Sequence, residues 1–135
     1  MDIAIKITLI ASVILIGYNL SLLLTSYEVA CEKDKQIKIL AADTDSSEAE
    51  LRFSNTLLTG VLTVIFAVLT YLSGLALWVV AVVAAKMVVS CCMSNMKLNR
   101  IMKSDVVDQT FFKLTKLDAV TNILFGMGVA LILVA

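Results

Sequence analysis

Histidine and proline are both absent from the 135 residues, and only 16% of the side chains are charged. Without histidine there are no imidazole metal ligands and no His-based catalysis. The apolar runs hold neither a proline nor an acid, so the broken helix or midplane carboxylate usual in a coupled transporter is missing. An excess of one charge is missing too: 11 Lys+Arg balance 11 Asp+Glu, which gives no basic surplus for nucleic acid. No Gly-rich phosphate loop occurs, and the serines lack a His partner. A separate soluble catalytic domain would need on the order of 100 residues, which the apolar runs do not leave. No enzyme and no bound cofactor or metal is expected.

What is present is apolar. Hydrophobic residues make up 60% of the chain and the mean hydropathy is +0.96. A membrane span takes about 20 apolar residues. Four runs of that kind occur: Ile3 to about Thr25, Phe53 to Leu72, Leu75 to about Met93, and Ala119 to Ala135. Ser73-Gly74 separates the second and third, with Tyr71 and Trp78 flanking it as an interfacial aromatic belt would. The expected fold is an all-α integral membrane protein: a single membrane domain over 1–135 with four transmembrane helices packed as an antiparallel bundle. Its spans cover about 3–25, 53–72, 75–95 and 118–135, its connections 26–52 and 96–117, and its short turn 73–74. The first run is read as a span and not as a cleaved signal, because it is long for a signal core and Glu28 stands where a small residue is wanted before Cys31.

Lys33, Lys35, Lys38 and Arg52 lie in the first long connection, and Lys97, Arg100, Lys103, Lys113 and Lys116 in the second. The opposite side has only Lys6. The positive-inside rule makes the basic side cytoplasmic and puts both termini outside, in a cell membrane or bacterial inner membrane. The first helix is expected to run on into the cytoplasm through Tyr27 to Leu40, since no Gly or Pro interrupts it. Ser47-Glu48-Ala49-Glu50 reads as a capping box opening the second span, and Thr115-Lys116-Leu117-Asp118 as one opening the fourth. The segment Asn99 to Leu117 mixes basic residues with Ile101, Met102, Val106, Val107, Phe111 and Phe112, a composition suited to the headgroup layer. Arg100, Lys103, Lys113 and Lys116 are its candidate contacts to anionic lipid headgroups.

Lys86 is the residue that most needs an explanation. It falls about 12 residues beyond the Ser73-Gly74 turn, roughly 18 Å into the bilayer. A charge there costs about 2.5 kcal/mol or more unless it snorkels or is paired. Lys86, Ser90, Ser94 and Lys97 share one helix face. Tyr18 and Asn19 on the first helix and Thr121 and Asn122 on the fourth lie at a similar level. With Asp118 read as the boundary residue, no carboxylate of the chain is expected to reach Lys86. A neutral amine, snorkelling past Ser90, hydrogen bonds to Asn19 or Asn122, an acid from another chain, and a place on a substrate or ion pathway are the alternatives. Small residues suited to helix packing are Gly17, Gly60, Ala81, Ala85, Gly126 and Ala130. Cys31, Cys91 and Cys92 read as small apolar helix residues, reduced on the cytoplasmic side.

In size the chain is similar to small four-helix multidrug exporters, but the intramembrane Glu of their first helix has no counterpart. The leading expectation is a structural or accessory subunit that assembles with itself or another membrane protein. The alternative is a small homo-oligomeric pore or holin-like protein with Lys86, Ser90 and Ser94 lining water. A third reading is a lipid-responsive protein acting through Asn99 to Leu117.

Overall fold

The computed structural model describes residues 2–104 and 107–135, so Val106 of the second connection lies outside the described residues. These form five helices: α1 (Ile3–Leu24), α2 (Tyr27–Asp43), α3 (Glu48–Leu72), α4 (Leu77–Ser104) and α5 (Gln109–Val134). Four of them, α1, α3, α4 and α5, are long and apolar enough to cross a membrane, at 22, 25, 28 and 26 residues. At helical rise α4 is about 42 Å long, more than a hydrocarbon core of about 30 Å requires.

Local chemistry explains where the helices start and stop. The first helix does not run on through Tyr27: it ends at Leu24, and Ser26 caps a new helix by accepting from the Val29 amide at 3.4 Å. Hydroxyl side chains that bond nearby backbone compete with helix continuation, which the absence of Gly and Pro conceals. The far end of α2 closes in a Schellman arrangement, with Ser46 N–H on Ala41 and Asp45 N–H on Ala42. Asp45 takes the left-handed position, φ 51°, that a glycine more often fills. Ser47 and Glu50 form the reciprocal capping box at the start of α3. Ser73 ends α3, and Gly74 turns the chain at φ 80°.

The start of the last helix differs from the sequence expectation. Asp108 caps α5 by accepting from the Phe111 amide, nearly three turns before Asp118. Thr115 is an interior residue whose hydroxyl donates to the Phe112 carbonyl, so Thr115 to Asp118 is no capping box. Likewise the segment 96–117 is mostly the ends of α4 and α5 and not a separate surface element.

Packing divides into two helix pairs. α1 lies chiefly on α5, and α3 chiefly on α4. The pairs join at the end holding Ser73-Gly74, where Phe66, Leu75, Val80, Val83 and Val129 form the larger buried apolar cluster. There Thr8 Oγ1 of α1 lies 2.6 Å from Ser73 Oγ and donates toward the Leu69 carbonyl at 3.0 Å. In α1 the distribution of polarity is inverted relative to a helix of a soluble domain. The buried residues of α1 are Thr8, Ser12 and Asn19, while Ile3, Val13, Ile14 and Leu24 face outward.

Candidate functional site

Lys86 of α4 points along its helix toward Ser90, and its ammonium has three partners. Nζ donates to Ser90 Oγ at 2.8 Å, to Asp118 Oδ1 at 2.7 Å and to Asn122 Oδ1 at 2.7 Å. That uses every proton of the group. Asn122, 6% exposed, extends the network: its amide donates to Asn19 Oδ1 of α1 at 3.0 Å and toward Asp118 Oδ2 at 3.3 Å. Asn19 in turn donates to the Leu15 carbonyl. Three helices are thereby tied through a charge-balanced cluster in which the two ionic side chains are 14% and 18% exposed.

Asp118 corrects the sequence expectation that no carboxylate of the chain reaches Lys86. With the true start of α5 at Asp108, Asp118 lies inside the helix, one turn before Asn122 on the same face. The (i, i+4) spacings Lys86/Ser90 and Asp118/Asn122 are the signals that could have found the pair. Tyr18 stays outside the cluster, 63% exposed. Ser94 bonds Asn55 of α3, which also donates to Asn95 Oδ1 at 2.7 Å. Thr121 bonds back to the Asp118 carbonyl. The stripe Lys86, Ser90, Ser94 and Lys97 thus divides among partners on three different helices.

Between the two helix pairs runs a cleft of about 430 Å³. Along α4 its lining extends from Met87 to Ile101, a distance of about 21 Å at helical rise. Asn19, Ser90, Asp118 and Asn122 line its inner part, with Leu15, Thr63 and Met87 about a turn deeper. Asn55, Thr59 and Cys91 line the α3/α4 side, and Thr59 Oγ1 lies 2.9 Å from Cys91 Sγ. At the other end Ala30, Lys33 and Ile37 present one face of α2 to the cleft. α2 is seated on α4 through Asp34, a carboxylate 3% exposed whose Oδ1 is 3.6 Å from Lys97 Nζ and has no hydrogen-bond partner.

The other basic candidates fall on both sides of this boundary. Arg100 pairs with Asp108 at 2.7 Å and lies over the Phe111 ring at 4.5 Å, bracing the connection between α4 and α5. Lys103 and Lys113 are exposed. Lys116 turns inward, donating to the Leu23 carbonyl at 2.9 Å with its ammonium 5.0 Å from the Phe112 ring. Tyr27 donates to the Val107 carbonyl at 2.8 Å and meets Phe112 edge-on. Its phenol is held above its ordinary value, first by its hydrogen-bond contact with Cys31 and then by desolvation.

Of the small residues, Gly126 is the one in tight contact: a Cβ there would lie 2.9 Å from Ile16 Cγ1. Gly17 and Gly60 have open space beside them, Ala81 and Ala85 are exposed, and Ala130 is half-buried. The cysteines are free thiols. Among the described residues no group of His, Cys, Asp and Glu is arranged to hold a metal ion. Compared with family models, with curated proteins and with solved structures, the chain matches none.

Proposed function

We propose that this chain is an integral membrane protein whose four long helices cross the bilayer as an antiparallel bundle, and that it binds a ligand in the cleft between its two helix pairs. The membrane reading is supported by apolar side chains turned outward around buried Thr8, Ser12, Asn19 and Asn122. The basic connections put the α2 end of the cleft on the cytoplasmic face, with both termini outside. The observation that carries the binding reading is the cleft itself, which falls within the usual range for small-ligand sites and is lined in its inner part by the partnered residues Asn19, Ser90, Asp118 and Asn122. An ion pair buried among helices in this way is a common mark of a functional site in membrane proteins.

The test uses the native Cys91, which lines the cleft. In Cys31→Ser/Cys92→Ser protein it is the remaining thiol. A membrane-impermeant maleimide should label it in inverted vesicles and not in right-side-out ones. A cysteine at Val64, 62% exposed on the outer surface of α3, should be labelled from neither side in a cysteine-free background. A Cys91 that resists labelling from both faces contradicts a water-filled cleft, and labelling from outside contradicts the orientation.

The accessory-subunit reading drew on full-length helices, small-residue faces and a Lys86 without an acid, and Asp118 removes the last of these motives. It keeps the long helices and the uncovered small residues Gly17, Ala81 and Ala85 on an otherwise bulky apolar surface, which would let another helix approach closely. The mass of the particle purified from its native membrane separates a lone chain from an assembly. A pore along Lys86, Ser90 and Ser94 is less well supported, because the stripe divides among separate partners and meets the apolar cluster.

A further inference from the structure

We propose that the cleft takes an anionic amphiphile: a phosphate-bearing headgroup between Lys33 and Lys116, with its hydrocarbon leaving sideways between α1 and α3. This rests on the binding reading above and names the ligand class. Charge comes first. Lys33, Lys97 and Lys116 line the cleft against the carboxylate of Asp118. Asp118 neutralises Lys86, and Asp34 stands opposite Lys97. Among the described residues no carboxylate pairs with Lys33 or Lys116. Their two charges remain for a ligand at the end where the cleft meets the α2 connection. Lysine is a point-charge binder of phosphate, and a phosphate monoester carries up to two negative charges to match.

The walls then select against a purely hydrophilic anion. Leu15, Leu22, Leu62, Met87 and Leu98 all line the cleft. Tyr18 and Leu62, 63% and 51% exposed, line it while also facing the outer surface. They stand on α1 and α3, whose polar clasp, Thr8 with Leu69 and Ser73, lies at the opposite end. The gap between these helices therefore leads from a cationic mouth to the surface that faces lipid. In the proposed orientation the mouth lies at headgroup level on the cytoplasmic side, where anionic lipids concentrate basic segments.

The experiment follows Cys91 alkylation in purified Cys31→Ser/Cys92→Ser protein in zwitterionic nanodiscs. Short-chain phosphatidate, phosphatidylcholine of the same chains, and inorganic phosphate are added in turn. Phosphatidate should slow labelling about tenfold when saturating, equivalent to about 1.4 kcal/mol, and phosphatidylcholine should leave it nearly unchanged. Lys33→Gln/Lys116→Gln should lose the protection, and so should Lys33→Gln alone in case the loss of the Lys116–Leu23 bond disturbs folding. Lys35→Gln, outside the cleft lining, should keep it. Equal effects of both lipids, or none from either while Cys91 still reacts, would overturn the ligand class and leave the cleft standing. Full protection by inorganic phosphate alone would replace the lipid with a free anion. A Cys91 that never reacts would instead count against the cleft.

Discussion

The two ends of the molecule hold the same helix pairs together by different means. At the Ser73-Gly74 end, a neutral hydroxyl contact between Thr8 and Ser73 sits beside the larger apolar cluster. Toward the α2 end, the pairs are joined by an ion pair wrapped in amides and hydroxyls, and a cleft opens beyond it. The contrast teaches what specifies helix pairing when the outside is apolar. Burying one more leucine gains little if its alternative is lipid, so close packing and satisfied polar groups decide which faces meet. One end uses both. The other adds to its ion pair only a smaller apolar cluster, Ile101, Val107 and Phe111, and this is the end that leaves room for a ligand.

The largest expected effect lies at the ion pair. Asp118→Leu leaves the Lys86 ammonium inside the bundle without its carboxylate, and should destabilise the fold by about 3 kcal/mol or more. Lys86→Met/Asp118→Leu should recover most of that loss, because an apolar pair of similar volume removes both charges together. Reversible unfolding in mixed micelles measures both variants. A single mutant within about 0.5 kcal/mol of the parent would mean that the pair does not form. The double mutant sharpens the comparison further: if stability returns while binding in the cleft is lost, the pair serves the ligand more than the fold.

Packing between α1 and α5 supplies the next effect. Gly126→Ala drives a methyl against Ile16 Cγ1, where the Cβ would lie 2.9 Å away. Overpacking of this kind costs about 1–3 kcal/mol, and Ile16→Ala in the same chain should relieve part of it. Gly128→Ala is the matched control, since open space surrounds that position. It should be neutral or stabilising by up to about 1 kcal/mol through helix propensity. Equal responses at the two glycines, by the same unfolding assay, would dissolve the distinction between a packed and an uncovered face.

The four long helices and the Ser47 capping box were legible in the sequence, because apolar run length and an S-x-x-E pattern are local properties. The polar cluster was legible in part. Lys86, Ser90, Asn19 and Asn122 could be placed at one level by counting residues from a turn. Asp118 could not, because Thr115 to Asp118 imitates a helix start while Asp108 makes the real one. That error of nine residues in α5 turned a buried partner into a boundary residue. The break at Thr25-Ser26 was hidden for a similar reason: two hydroxyls interrupt the helix without the usual punctuation of Gly or Pro. Nothing periodic marks the cleft, which arises from which pairs of helices pack tightly.

The smallest expected effect concerns α2, the element that borders the cleft mouth. Its Asp34 is nearly fully buried, yet its cation, Lys97, stands 3.6 Å away and 37% exposed. Solvent screens such a contact, so Lys97→Gln should change global stability by at most about 1 kcal/mol. The local consequence should be larger in proportion. With the cation gone, the carboxylate favours water over its buried place, and α2 lifts from α4 more often. Hydrogen exchange should then speed up over residues 30–41 while α1 and α5 keep their protection. Asp34→Ala/Lys97→Gln should restore part of the protection, because no buried charge is left to seek water. Unchanged exchange in Lys97→Gln would assign the seat of α2 to buried Ala41 and its apolar neighbours instead. Faster exchange confined to α2 would make the end with the cleft adjustable, against an opposite end whose hydroxyl clasp carries no charge to release.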